Sequence, residues 1–200
     1  MFLIGLVFRD SSTFIRNSLN MYGIINKSIG ELVTRNFGED KWQAVLQKSG
    51  MEDAFFISNE AYDDAITYKL AIAVAEVMNI TLDQVLFAFG EWWILETTRT
   101  KYGGLLQSGG SNLKEFLTNL PLFHNHIMLM YPKLTPPEFR VSDIESNSIC
   151  VHYFSKREGL QEFVRGLLSG LSKMFECETQ IEHMDSKANG NDHEIFKVSW

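Results

Sequence analysis

The feature that most limits what this chain can fold into is a change of hydrophobic period around Pro132, Pro136 and Pro137. Before these prolines apolar residues recur every three or four positions, and after them they alternate, apart from one later helical stretch. On the helical side, Ile25, Ile29, Leu32 and Val33 form one stripe that Gly38 stops. The segment EDKWQAVLQKSG predicts a second helix, capped by Asp40 and ended by Gly50. A third runs from about Asp63 to Met78 with Ile66, Leu70, Val74 and Val77 facing inward. Thr81 and Gln84 have capping-box spacing and open a fourth, LDQVLFAFGEWWILETT. Gly103, Gly104, Gly109 and Gly110 predict a loop. Asn119 is then a cap and Pro121 a first-turn residue, which puts residues 122–131 on a short apolar helix. Beyond the prolines, strands near 139–144 and 148–156 predict a hairpin. Leu160, Phe163, Val164, Leu167, Leu168, Leu171, Met174 and Phe175 return to helical spacing, and two strands joined around NGND follow. The expected fold is α+β: a helical part over about 21–131 packed on a strand-rich part over about 138–200 that holds a four-stranded antiparallel sheet and a long helix.

Two hundred residues with 45% hydrophobic content suit one domain, or two tightly joined halves, with a substantial core. A net charge of −7 and the absence of any Lys or Arg run remove the electrostatic footprint of nucleic-acid binding. The apolar opening MFLIGLVF stops at Arg9 and Asp10, well short of the ~20 residues of a membrane span. It also lacks the basic leader and small-residue cleavage site of an export signal. Residues 1–20 therefore read as an N-terminal extension to a single domain over 21–200. Two cysteines, Cys150 and Cys177, are too few for a disulfide scaffold, which favours a reducing cytoplasm; structural zinc would need four ligands from these plus His152, His183 or His193 and is the weaker reading.

Three features carry possible chemistry. His124 shares a helical stripe with Leu120, Ile127, Met128 and Tyr131, where an imidazole is either a satisfied core group or a metal ligand. His126 lies elsewhere on the same helix, and periodicity does not choose between the two. Gly166 and Gly170 sit inside the last helix, where each costs about 1 kcal/mol relative to alanine; close helix packing is the simpler reason for them, a flat ligand beside Phe163 and Leu167 the sharper one. Strand alternation puts Ile149, Val151, Tyr153, Ser155 and Arg157 on one face. That face begins apolar and ends in three donors, spaced ~6.6 Å apart. Such a row is either a surface edge or a clamp for paired carboxylates.

Together these features resemble the haem nitric oxide/oxygen-binding (H-NOX) domains, which include the haem domain of soluble guanylate cyclase and stand-alone bacterial sensors. The resemblance covers roughly Met21 to Trp200. Its most specific motif is Tyr-x-Ser-x-Arg, here Tyr153, Ser155 and Arg157, which in that family binds the haem propionates. A proximal histidine followed thirteen residues later by a proline that presses on the porphyrin matches His124 and Pro137, and so selects His124 over His126. The start MYGIINKSIGELVTRNFGEDKW is similar to the family's first helices.

The resemblance implies haem b with ferrous iron held between the two parts of the fold. It puts Phe163 where oxygen-holding members carry a tyrosine, with Ile25, Ile29 and Leu167 as apolar distal wall and Trp93 as a possible indole donor. Without a tyrosine hydroxyl, bound O₂ loses a hydrogen bond that NO and CO do not need. The implied function is a non-enzymatic NO sensor in which the bond from iron to His124 weakens and the helical part shifts against the strand-rich part. With no output domain after Trp200, the expected partner is a histidine kinase or diguanylate cyclase acting in trans. Rival readings are an O₂-binding member, a haem enzyme, which calls for a distal His or Arg to polarise the O–O bond, and an apolar-ligand carrier in which His124 is a core residue.

Overall fold

A computed structural model describes residues 19–130 and 137–200. The expectations placed on residues 1–18 and on Tyr131, Pro132 and Pro136 lie outside them. The chain begins with a short strand, β1 (Asn20–Tyr22), and runs straight into α1 (Gly23–Phe37). Gly38, at φ 89°, ends α1 and begins α2 (Glu39–Ser49) in one residue. That reversal leaves no room for the expected Asp40 cap; Asp40 sits instead in the first turn of α2, where its charge suits the helix dipole. Strand β2 (Ala61–Asp63) pairs antiparallel with β1, a ribbon the periodicity did not announce. Asp63 then caps α3 (Asp64–Met78) by accepting from Ala65 N–H, and the Thr81/Gln84 capping box opens α4 (Leu82–Trp92).

Two expectations fail in the middle of the chain. The glycines at 103 and 104 do not form a loop: α4 continues through a π-helical turn, Trp93–Thr98, into α5 (Arg99–Gly109), whose only break is at Tyr102. Leu106, 5% exposed, anchors this stretch in the core, and tertiary packing overrides the weak helix propensity of glycine. Likewise α6 spans Leu113–Leu129 as one helix, capped by Asn112 rather than Asn119, with Pro121 in its interior. Proline costs about 3 kcal/mol there. Burying Phe116, Leu117 and Leu120 at about 1.5–3 kcal/mol each outweighs it.

The hairpin β3 (Glu138–Ser142) and β4 (Ser148–Phe154), helix α7 (Gln161–Met174), and strands β5 (Gln180–Asp185) and β6 (Glu194–Ser199) follow. They form the expected four-stranded antiparallel sheet, in the order β3-β4-β6-β5. Alternate residues Ile149, Val151 and Tyr153 of β4 and Phe196 and Val198 of β6 face the core. Helix α7 makes its most extensive contact with α4, and its glycines explain why: a Cβ on Gly166 would sit 2.1 Å from Phe87 O, and one on Gly90 2.2 Å from Phe163 O. Close packing, not a flat ligand, is what Gly166 serves. The hydrophobic interior divides into two clusters, one among α1 to α4 and one between α6, α7 and the sheet. No single helix among the described residues is long and apolar enough to cross a membrane.

Candidate functional site

Between the two clusters is a cavity of about 220 Å³, walled almost entirely by apolar side chains. One group of lining residues comes from α6 and β3: Phe123, His124, Ile127 and Phe139. Another comes from α1, the π-helical turn and α7: Ile25, Trp93, Ile94, Thr98, Phe163 and Leu167. Helix α6 packs on β3 and α5, while the π-helical turn packs on α4 and α7, so the cavity is the gap these two groups leave.

The His124 and Phe139 rings pack in a T shape with centroids 5.0 Å apart, and His124 Nδ1 is buried without a hydrogen-bond partner among the described residues. Burial pushes its pKa down to about 4. At neutral pH the imidazole is therefore uncharged and has a lone pair to offer a metal without first losing a proton. His126 is exposed on the far side of α6. Among the described residues no three His, Cys, Asp or Glu side chains converge to hold an ion. A metal bound at His124 would have to arrive with its remaining ligands already in place, as a planar cofactor provides.

Tyr153 and Arg157 also line the cavity. The strand ends at Phe154, so the alternation that was to place Ser155 and Arg157 beside Tyr153 stops one residue short of Ser155. A turn takes over, in which Arg157 N–H donates to Ser155 Oγ at 3.0 Å. Ser155 also hydrogen-bonds the Tyr153 hydroxyl, whose pKa burial raises. The Arg157 guanidinium is only 7% exposed: Nε donates to Asp64 Oδ2 at 2.8 Å and one terminal nitrogen to Asn20 O at 2.8 Å. Lys187 donates to the carbonyls of Ser155 and Arg157 and holds the turn from the other side. A fixed cation, the Tyr153 hydroxyl and an apolar slot suit a flat, hydrophobic group that carries carboxylates at one edge.

The structure therefore brings His124, Pro137, Tyr153, Arg157, Ile25, Trp93, Phe163 and Leu167 around one cavity. Ile29 and Ser155 are not among its lining residues; the Ser155 hydroxyl is engaged by Arg157 N–H and Tyr153. Helix α1 passes the cavity only at its first turn, and by Ile29, 3% exposed, it has entered the N-terminal core. The sequence reading missed Asp64 and Asn20, which anchor Arg157, and also Thr98, Tyr102 and Phe139 in the wall.

The Haem-NO-binding family model matches residues 22–183. Two nematode proteins, the soluble guanylate cyclases gcy-32 and gcy-34 of Caenorhabditis elegans, are each 32% identical over 90% and 89% of this chain. The chain spans 28% of the length of either. Among solved structures, the H-NOX protein from S. oneidensis in its Fe(II)NO ligation state superposes with a TM-score of 0.80 at 22% identity, covering 90% of this chain and 98% of that one. The unliganded Fe(II) A71G mutant from K. algicida gives 0.78 at 23% identity, covering 90% and 96%. These likenesses establish the fold, and with the family match over most of its length the chain belongs to the Haem-NO-binding family, the H-NOX domains.

Proposed function

We propose that this chain binds haem b through His124, takes up NO on ferrous iron in preference to O₂, and passes the change to an output partner rather than performing catalysis itself. The observation that carries the reading is a neutral, unpaired histidine in an apolar cavity that ends at Tyr153 and a charged Arg157. His124 would be the iron ligand, Tyr153, Ser155 and Arg157 the propionate contacts, and Pro137 a porphyrin contact. Bound haem supplies the iron centre at which a diatomic gas is captured. Phe163 withholds the hydroxyl that would favour O₂, and Ile25, Leu167 and Trp93 keep the space small and largely dry. On NO capture the hold of His124 would loosen, leaving α6 free to move relative to α3 and β1, which carry Asp64 and Asn20. Among the described residues the cavity's one histidine is His124 and its one arginine is tied to Asp64, which argues against a peroxide- or oxygen-activating enzyme. Because the relatives are named as guanylate cyclases, a guanylate cyclase is the first output to test, with a histidine kinase or diguanylate cyclase in trans as the alternative.

An anaerobic absorption spectrum of the reduced protein, repeated with NO and with air, tests this. A five-coordinate NO complex and no stable O₂ complex are expected. The His124→Gly variant should lose haem unless imidazole is supplied. Unchanged cofactor content in that variant would end the His124 assignment, and a wild-type protein that takes up no haem would return the cavity to an apolar-ligand carrier.

A further inference from the structure

Away from the cavity, Asp143, Ser142, His152, His193 and Asp192 form one continuous hydrogen-bonded row on the outer face of the sheet. Strand alternation turns Val151 and Tyr153 of β4 inward and leaves Cys150, His152 and Phe154 on the opposite face. His152 Nε2 lies 2.8 Å from Ser142 Oγ of β3, and His152 Nδ1 lies 2.8 Å from Nε2 of His193, just before β6. Each end of the row is a carboxylate. Ser142 Oγ is 2.8 Å from Asp143 Oδ2, and His193 Nδ1 is 2.5 Å from Asp192 Oδ1. None of these side chains lines the cavity, so the row stands independently of the haem reading.

Proton counting limits what the row can hold. Its four contacts need four protons, one each. With both carboxylates ionised, neutral Ser142, His152 and His193 supply only three, so one contact sets lone pair against lone pair. One added proton fills every contact. A second puts N–H groups on both sides of the His152–His193 contact and breaks it. The surroundings agree with a single added charge. The hydrogen bond from His193 holds the Asp192 carboxyl below the usual carboxylate range. Burial first, then His193 and Arg140, push the His152 pKa down, and Asp143 only partly offsets them. The added charge therefore belongs on His193, in contact with Asp192. The neighbouring polar groups are otherwise engaged: Cys150 brings its own proton to Asp143, Lys197 lies across from Cys150 on β6, Arg140 pairs with Glu138, and Asp185 accepts from Ser186 N–H and Asn189.

We propose that this row is a one-proton latch, which fastens the β5–β6 connection to the β3–β4 hairpin when it holds a single added proton and opens when it takes a second. The same connection carries Lys187, which donates to the carbonyls of Ser155 and Arg157. Mild acid thus tightens the support behind Arg157, and stronger acid releases it.

The full chain is titrated as it purifies, with any haem held as the diamagnetic ferrous CO complex, by imidazole nitrogen NMR in wild type, Ser142→Ala and His193→Gln. Ser142→Ala touches no titrating group, yet it leaves two contacts for two protons and removes the demand for an added one. Glutamine at 193 can flip its amide to suit either proton on His152. In wild type His152 and His193 should report the same two proton steps. The upper step should move down by about one pH unit in Ser142→Ala, the worth of one hydrogen bond. Through the lower step the amides of Gly190 and Asn191, bonded to Lys187 O and Ser186 O, should exchange faster than in His193→Gln at the same pH. Separate single steps for the two histidines, or an upper step that Ser142→Ala leaves in place, would overturn the latch. Unchanged exchange at Gly190 and Asn191 through the lower step would overturn its hold on the connection.

Discussion

Arg157 reaches across the molecule to Asp64, 93 positions away, and to Asn20, 137 positions away. No local pattern announces such a pair. The Tyr-x-Ser-x-Arg motif was legible in the sequence, but the groups that aim its arginine were not. Both side chains of the ion pair are nearly buried, at 7 and 11% exposure, so removing one charge strands the other. Asp64→Asn should therefore cost about 3–5 kcal/mol in urea unfolding of the haem-free protein. In the haem-loaded protein the loss should be smaller, because a propionate can take the vacated face of the guanidinium. Equal losses in the two forms would mean that Arg157 does not meet a propionate. His124 adds a pH dependence. Its pKa is about 4 in the folded state against the ordinary histidine value of 6.5 in the unfolded chain, so between those values the unfolded chain binds more protons. The stability of the haem-free protein should be full above about pH 6.5 and fall as the pH drops toward 4, by about 3 kcal/mol in all. Thermal unfolding at several pH values measures this, and His124→Leu should flatten the slope. Thr98 was not legible in the sequence for a different reason: its place in the cavity wall depends on a π-helical turn that leaves no mark in the residue pattern.

At the scale of elements, the seam between α4 and α7 makes the clearest prediction. Alanine at position 166 would gain up to about 1 kcal/mol of helix propensity. Its methyl would also stand 2.1 Å from Phe87 O, which is backbone and has no rotamer to yield. The clash wins, and Gly166→Ala should lower stability by about 3 kcal/mol, seen as a fall in the urea midpoint; a neutral or stabilising result would mean that the two helices can separate freely. The elements that were legible are those whose local signals agree with their packing: the capping box at Thr81, the Gly38 and Gly50 stops, the β3–β4 hairpin and the amphipathic α7. Those misread are where burial outweighs a local rule. Pro121 lies within α6 because three buried neighbours outweigh it, and Gly103 and Gly104 lie within α5 because Leu106 and Leu113 hold its end to the core. The β1–β2 ribbon is three residues per strand, too short for alternation to register.

At the scale of the whole molecule, the two hydrophobic clusters meet through side chains that also face the cavity. Trp93 packs against both clusters, and Phe163 stacks on Phe89 at 5.4 Å to join α7 to the helical half. A group filling the gap touches both halves, and the halves touch each other otherwise mainly through the α4–α7 seam and the Arg157–Asp64 pair. Cofactor binding should therefore act on the fold as a ligand that binds only the native state. With haem in free excess at a thousandfold over its dissociation constant, linkage supplies about 4 kcal/mol. For a chain of 200 residues that is an increase of roughly 8–16 °C in the unfolding midpoint. Circular dichroism of haem-free and haem-loaded protein, heated under nitrogen, measures it. In hydrogen exchange the same comparison should show slower exchange on both sides of the cavity, in α6 and in the π-helical turn, because one ligand bridges them. Protection confined to α6 would mean that the halves move independently around the cofactor. A signal starting at His124 would then have no path to α3 and β1, which hold Asp64 and Asn20.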